Sequence, residues 1–164
     1  MKLRGTTKLK SHMNNFLRPF GLKSVLGEDF AYYPVTEQVQ FTLVMEDRAD
    51  KIFKKFVADA FNYKIKDMFL FSLLHEVGHH FTIDDFEYEE LDKEWKHKSR
   101  IEWEIDEDNY NEKSIEYFSL PSEYAATAWA VSYMRNHEEE LFSRWRIMLE
   151  HFRHFYKVNS VSCS

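Results

Sequence analysis

The chain has 164 residues, a formal net charge of −6, 44% hydrophobic and 17% aromatic side chains, and only four Gly and three Pro. That length fits a single domain over residues 1–164 with one core, and the apolar content excludes a disordered, collagen-like or low-complexity chain. No uncharged apolar run approaches the ~20 residues needed to cross a bilayer, the start lacks an apolar leader, and the only cysteine, Cys163, excludes an intrachain disulfide or a cysteine metal cage, so a reducing cytoplasm is expected and a membrane is not.

Residues 1–27 carry six basic side chains (Lys2, Arg4, Lys8, Lys10, Arg18, Lys23) and no acidic one. Without interleaved stacking aromatics, such a run predicts a solvated surface and speaks against a nucleic-acid partner. Residues 38–45 place Val39, Phe41, Leu43 and Met45 on one side at period two, the mark of a half-buried strand, and 30–35 reads as its partner. From Arg48 to Asn62, Ile52, Phe53, Phe56, Val57 and Ala60 recur at helical spacing. Asp67 then reads as the N-cap of a helix that is apolar nearly all round and therefore buried.

Residues 84–116 hold fourteen Asp or Glu against five Lys or Arg. Such a field repels nucleic acid and attracts basic proteins, although a solvated face is its ordinary outcome. Within it, Ile101, Trp103 and Ile105 alternate with charged residues and predict a short strand, with flanks compatible with helix. Pro121 fits the first turn of a helix running through Met134. Leu141, Trp145, Met148, Leu149, Phe152 and Tyr156 form the stripe of a last helix. The expected class is α+β and helix-rich, with a small sheet beside a buried helix. No glycine-rich phosphate loop supports nucleotide binding.

The buried helix contains His75-Glu76-Val77-Gly78-His79. Histidines four apart project from the same helix face and reach one tetrahedral zinc ion, while Glu76 beside them is aimed at the water that such an ion carries. Burying two imidazoles and a carboxylate unpaired would cost several kcal/mol, and a cation satisfies all three.

A catalytic zinc needs a third protein ligand and an open position. Glu123, in the first turn of the Pro121 helix, is followed by Ala126 and Ala130 on one stripe of small side chains. That stripe lets the helix press against another, and Gly78 offers the matching gap at a cost of about 1 kcal/mol in helix propensity. Alternative third ligands are His97, which sits among Lys93, Lys96, Lys98 and Arg100, and Asp84 or Asp85. Asp85 stands where an extended motif places a third histidine. His80 points about 100° away from His79 and reads as a packing or supporting residue. His151 and His154, three apart, lack a supporting carboxylate pattern.

The paired motifs, His75-Glu76-Val77-Gly78-His79 and Glu123-x-x-Ala126-x-x-Trp129-Ala130, resemble the ImmA/IrrE-type family of small zinc metallopeptidases over about residues 30–135. The resemblance implies a minimal zincin fold with a short sheet beside the metal helix, a second-helix Glu completing the zinc site, and hydrolysis of protein or peptide substrates. The chain departs from the family pattern in the acidic stretch between the ligand helices and in its aromatic last helix. The expected function is that of a zinc-dependent peptidase, with His75, His79 and Glu123 as ligands and Glu76 as general base. Tyr117, Tyr124 and His80 are candidate oxyanion donors, and the edge of the 39–45 strand is a candidate seat for an extended substrate. The alternative is a catalytically silent binding or regulatory module of zincin shape, with a second copy of the chain, in a homo-oligomer, among its candidate partners.

Overall fold

A computed structural model describes residues 5–160, with side chains through residue 155; Lys2, Arg4, the Tyr156 side chain and Cys163 lie outside the described part. Six helices and a three-stranded sheet make a helix-rich α+β fold, as the sequence predicts. The order is α1 (Thr6–Leu17), β1 (Lys23–Gly27), β2 (Ala31–Tyr33), β3 (Gln38–Thr42), α2 (Asp47–Phe61), α3 (Met68–Thr82), α4 (Tyr88–Glu104), α5 (Tyr110–Phe118) and α6 (Pro121–Ser160). No described helix is long and apolar enough to cross a membrane.

The sheet order is β1-β3-β2, with β1 parallel and β2 antiparallel to β3. Val39 and Phe41 point from β3 into the core at 0% exposure, which realises the period-two pattern of the sequence. On one side β1 pairs along all of Gln38–Thr42, whereas on the other β2 pairs only with Gln38–Gln40. The strand ends at Thr42, short of the expected residue 45; Thr42, Val44 and Met45 border the same cleft as β2.

Helix α3 is the centre of the molecule. Its cap is Asp67, whose Oδ1 accepts from the Leu70 amide at 2.9 Å and whose Oδ2 accepts from Trp145 Nε1 at 2.9 Å. One carboxylate thus starts the helix and ties it to α6. Leu70, Leu73, Leu74 and Val77 are fully buried, and Phe71 nearly so. Against them α6 lays Ala126, Ala130, Val131, Met134, Leu141, Trp145, Met148 and Phe152. The two helices expected over 121–134 and 141–156 are both formed; they are the two arms of α6, separated by a kink at the non-helical His137, where φ is −134° and ψ 19°.

Two elements lay hidden in the basic start. Leu9, Met13, Phe16 and Leu17 of α1 are buried at helical spacing, and Phe16 meets Trp145 edge-on at 5.2 Å. Ser24 of β1 donates its amide to Asn14 Oδ1 at 2.6 Å, joining the first helix to the sheet. The strand expected at 101–106 is not formed; α4 runs through Glu104. Ile101 is 2% exposed while Trp103 is 89% exposed, so the alternation never defined one buried face. A capping box between Glu87 and Glu90 starts the helix instead.

Candidate metal centre

Position 78 decides how closely α3 and α6 approach. A Cβ built on Gly78 would lie 3.0 Å from Ala126 Cα and 3.1 Å from its carbonyl carbon, and closer still to its oxygen. Only glycine fits there without displacing α6. This contact brings Glu123, in the first turn of α6, over the histidine face of α3.

His75 Nε2 lies 2.9 Å, and His79 Nε2 3.4 Å, from the same oxygen, Glu123 Oε2. One donor atom from each of the three residues falls within 4.8 Å of the others. Bonds of about 2.0–2.1 Å in a tetrahedron place neighbouring ligand atoms about 3.3 Å apart, so this spacing suits zinc. The chemistry of the set suits it too, with two imidazole nitrogens and a carboxylate oxygen. Among the described residues, no other group of three His, Cys, Asp or Glu side chains comes together in this way.

The supporting contacts fix how the donors are presented. Thr127 Oγ1 donates to the Glu123 carbonyl oxygen at 2.9 Å, which leaves it as acceptor for His75 Nδ1–H at 3.0 Å. With Nδ1–H held there, His75 turns its Nε2 towards Glu123 Oε2, and this is the nitrogen that would offer its lone pair to a cation. The Phe53 ring meets His75 edge-on at 5.7 Å. From α4, Lys98 Nζ donates to the other Glu123 oxygen, Oε1, and stands 5.4 Å from the centre of the Tyr117 ring. Glu94, one turn earlier on α4, is itself buried and accepts from the Ser122 amide at 3.0 Å and its hydroxyl at 2.8 Å, securing the first turn of α6.

Burial works against the Glu123 carboxylate, but hydrogen bonds and charge from His75 and His79 overcome it and hold the group well below the usual carboxylate range. For His79, burial favours the neutral ring, yet the Glu123 hydrogen bond and the charges of Glu123 and Glu76 raise its pKa. Glu76 is 9% exposed and has no hydrogen bond or ion pair among the described residues. Burial pushes its carboxyl up, aided by Glu123 and opposed by His75, His79 and Lys98. Burial followed by the negative charges of Glu123 and Glu76 drives the Tyr117 phenol upward, so it stays a neutral donor.

The remaining candidates separate clearly. His97 Nε2 lies 2.8 Å from Glu116 Oε1, away from the three donors. Asp84 and Asp85 occupy a 3-10 turn after α3 and do not join the group. His80 Nδ1 pairs with Tyr32 Oη at 2.8 Å, a supporting role between α3 and β2. His151 stacks on His12 with ring centres 3.4 Å apart. Of the oxyanion candidates only Tyr117 borders the cleft over the metal group; Tyr124 packs on Phe61 and is 41% exposed. Lys98 was missed because its basic sequence neighbours signalled solvent. Read as a helix, the segment puts Glu94, Lys98 and Ile101 on one inward stripe, and that spacing was the available signal.

The cleft has a volume of about 1060 Å³ and runs between β2, α2, α3, α4 and α5. Compared with known proteins, the chain matches no family model, no curated protein and no solved structure.

Proposed function

We propose that the protein is a zinc-dependent peptidase of the zincin type, as the likeness of its two motifs to ImmA/IrrE-type enzymes implies. The observation that carries this reading is the convergence of His75, His79 and Glu123 with the unpartnered, buried Glu76 beside them. His75, His79 and Glu123 would hold a zinc ion, which when bound would supply a water of lowered pKa and polarise a peptide carbonyl. The Thr127 hydroxyl fixes the His75 ring. Glu76 takes the proton of the attacking water and returns it to the leaving amine nitrogen, as the new carbon–oxygen bond forms and the carbon–nitrogen bond breaks. The neutral Tyr117 phenol is the candidate donor to the carbonyl oxygen as it gains charge. The free edge of β2, which borders the cleft, can pair with an extended peptide.

One observation favours the second reading, a silent module of the same shape. Lys98 on Glu123 adds a positive charge next to the metal group, and the side chains there already satisfy one another. Digestion of a peptide library by the zinc-loaded full chain, with a chelator control and the Glu76→Gln variant, separates the two. The peptidase reading expects chelator-sensitive cleavage that falls about 10²–10⁴-fold in Glu76→Gln while one equivalent of zinc stays bound. Cleavage that survives in the variant overturns the role of Glu76. A zinc-loaded parent that cleaves nothing leaves the silent module, and a chain that takes up no zinc overturns the peptidase reading.

A further inference from the structure

The cleft has walls of distinct chemistry. One wall is a single face of α4, on which Tyr88, Leu91, Asp92, Trp95, Lys98 and Glu102 recur at three- or four-residue spacing. Tyr88 and Trp95 are 81% and 74% exposed on it, large rings with little protein against them. Among the described residues lining the cleft, Lys98 is the only lysine or arginine, and it is committed to Glu123. Nine Asp and Glu residues line the same space.

Five of those carboxylates, Glu28, Glu46, Asp50, Glu76 and Glu102, have no side-chain hydrogen bond or ion pair among the described residues, and two of them, Asp50 on α2 and Glu102 on α4, precede or follow by one turn a residue that touches the metal group. Asp50 lies one turn before Phe53, the residue packed on His75. It is half-buried, and burial pushes its carboxyl up, with Lys54 opposing and Asp47 and Glu46 adding to the rise. Glu102 lies one turn after Lys98, the residue bound to Glu123. Glu76, nine-tenths buried and also without a hydrogen-bond partner among the described residues, borders the same cleft. Asp50 and Glu102 have no ion-pair partner among the described residues, and the exposed rings of Tyr88 and Trp95 are surfaces on which a guanidinium or ammonium can sit.

We propose that the substrate is a basic peptide segment, with Arg or Lys side chains flanking the bond held at the metal group. One such side chain reaches Asp50. Another reaches Glu102, and further basic side chains lie on the rings of Trp95 and Tyr88, about 10 and 21 Å before Glu102 along α4. The acidic walls steer basic segments inward and repel acidic peptides and nucleic acid alike. This inference rests on the peptidase reading for the placing of the scissile bond, but the preference for charge is a property of binding and is measurable without cleavage.

The test uses three fluorescein-labelled peptides of equal length and apolar content, with Arg, Gln or Glu at the polar positions. Binding to the zinc-loaded Glu76→Gln full chain is followed by anisotropy, and cleavage by the zinc-loaded parent is followed in parallel. The Arg peptide is expected to bind about tenfold more tightly than the Gln peptide, the sum expected of two partly exposed ion pairs with aromatic support. The Glu peptide is expected not to bind. The preference collapses in the Asp50→Asn, Glu102→Gln double variant, whose zinc stoichiometry and circular dichroism report its folding. If that variant does not fold, Glu102→Gln alone, on an exposed helix face, must reduce the preference. Equal binding of all three peptides, or an undiminished preference in a folded variant, overturns the inference. If the parent cleaves all three alike and they bind alike, the peptidase reading stands and this one falls. If none is cleaved but the preference and its dependence on Asp50 and Glu102 hold, the opposite is true.

Discussion

Replacing Gly78 with alanine tests the geometry on which the metal group depends. At a solvated helical position this change stabilises a protein by about 1 kcal/mol, because alanine restricts the unfolded chain and favours helix. Here the new Cβ would stand 3.0 and 3.1 Å from two backbone carbons of Ala126. Carbon contacts settle at about 3.5–4.0 Å, so α6 has to retreat by about 0.5 Å or more. The obstacle is backbone, and no rotamer change relieves it. Overpacking of this kind costs about 1–3 kcal/mol, so the variant ends less stable than its parent by up to about 2 kcal/mol. Metal sites tolerate only about 0.2 Å in ligand distance, and Glu123 moves with α6, so zinc affinity falls about tenfold or more. Urea unfolding of the metal-free chain measures the first effect and competition with a chromophoric chelator the second. A variant about 1 kcal/mol more stable than the parent, with zinc affinity intact, would refute the close approach of the two helices.

Thr127→Val leaves His75 Nδ1–H without its acceptor. It should lower stability by about 1–3 kcal/mol and zinc affinity about 10–100-fold by chelator competition; unchanged affinity removes the orienting role. His12 has its pKa lowered from 6.5 by burial, then by the charges of His151 and Lys8, and its Nε2 is buried without a partner. The folded state therefore favours the neutral ring, so its stability is fully present above 6.5 and is lost as pH falls through the lowered folded value. His12→Phe should flatten that acid-side decline in thermal melts; a decline of the same size in the variant assigns it elsewhere. Chelation of zinc should lower the melting temperature while leaving far-ultraviolet circular dichroism unchanged, because the donors hydrogen-bond to one another. Loss of helix signal on chelation would contradict this.

The helix that carries His75 and His79 was legible because three independent signals coincide in it: the Asp67 cap, an apolar run, and histidines at one-turn spacing. Glu123 was legible for a steric reason, since Gly78 and the Ala126, Ala130 stripe are small on both sides of one contact. The sheet was half legible. Period two marked β3, but β1 contributes buried Ser24 and half-buried neighbours, which carry no strong alternation. In α1 the residues Leu9, Met13, Phe16 and Leu17 had the right spacing, but the density of basic charge around them drew attention to solvent. In α4 a two-residue alternation of large apolar and charged side chains outweighed a helical stripe made of polar residues. A buried stripe of Glu94 and Lys98 is invisible to hydrophobic periodicity, because its burial depends on partners contributed by α6.

That polar stripe explains how an acidic ligand can be held at a fixed place in an apolar interface. Glu94 and Lys98 sit one turn apart on α4 and grip consecutive residues of α6, Ser122 by its amide and hydroxyl and Glu123 by its second carboxylate oxygen. Gly78 sets the distance between α3 and α6, whereas α4 sets where α6 begins and which oxygen of Glu123 faces the histidines. An isolated buried carboxylate costs several kcal/mol, and one held by a lysine, two imidazoles and a secured helix start avoids most of that cost. Two oxygens with separate tasks also follow from this arrangement. Oε1 is anchored to protein and Oε2 alone is presented to the histidine pair, so the metal group meets a single oxygen whose direction is fixed before any ion arrives.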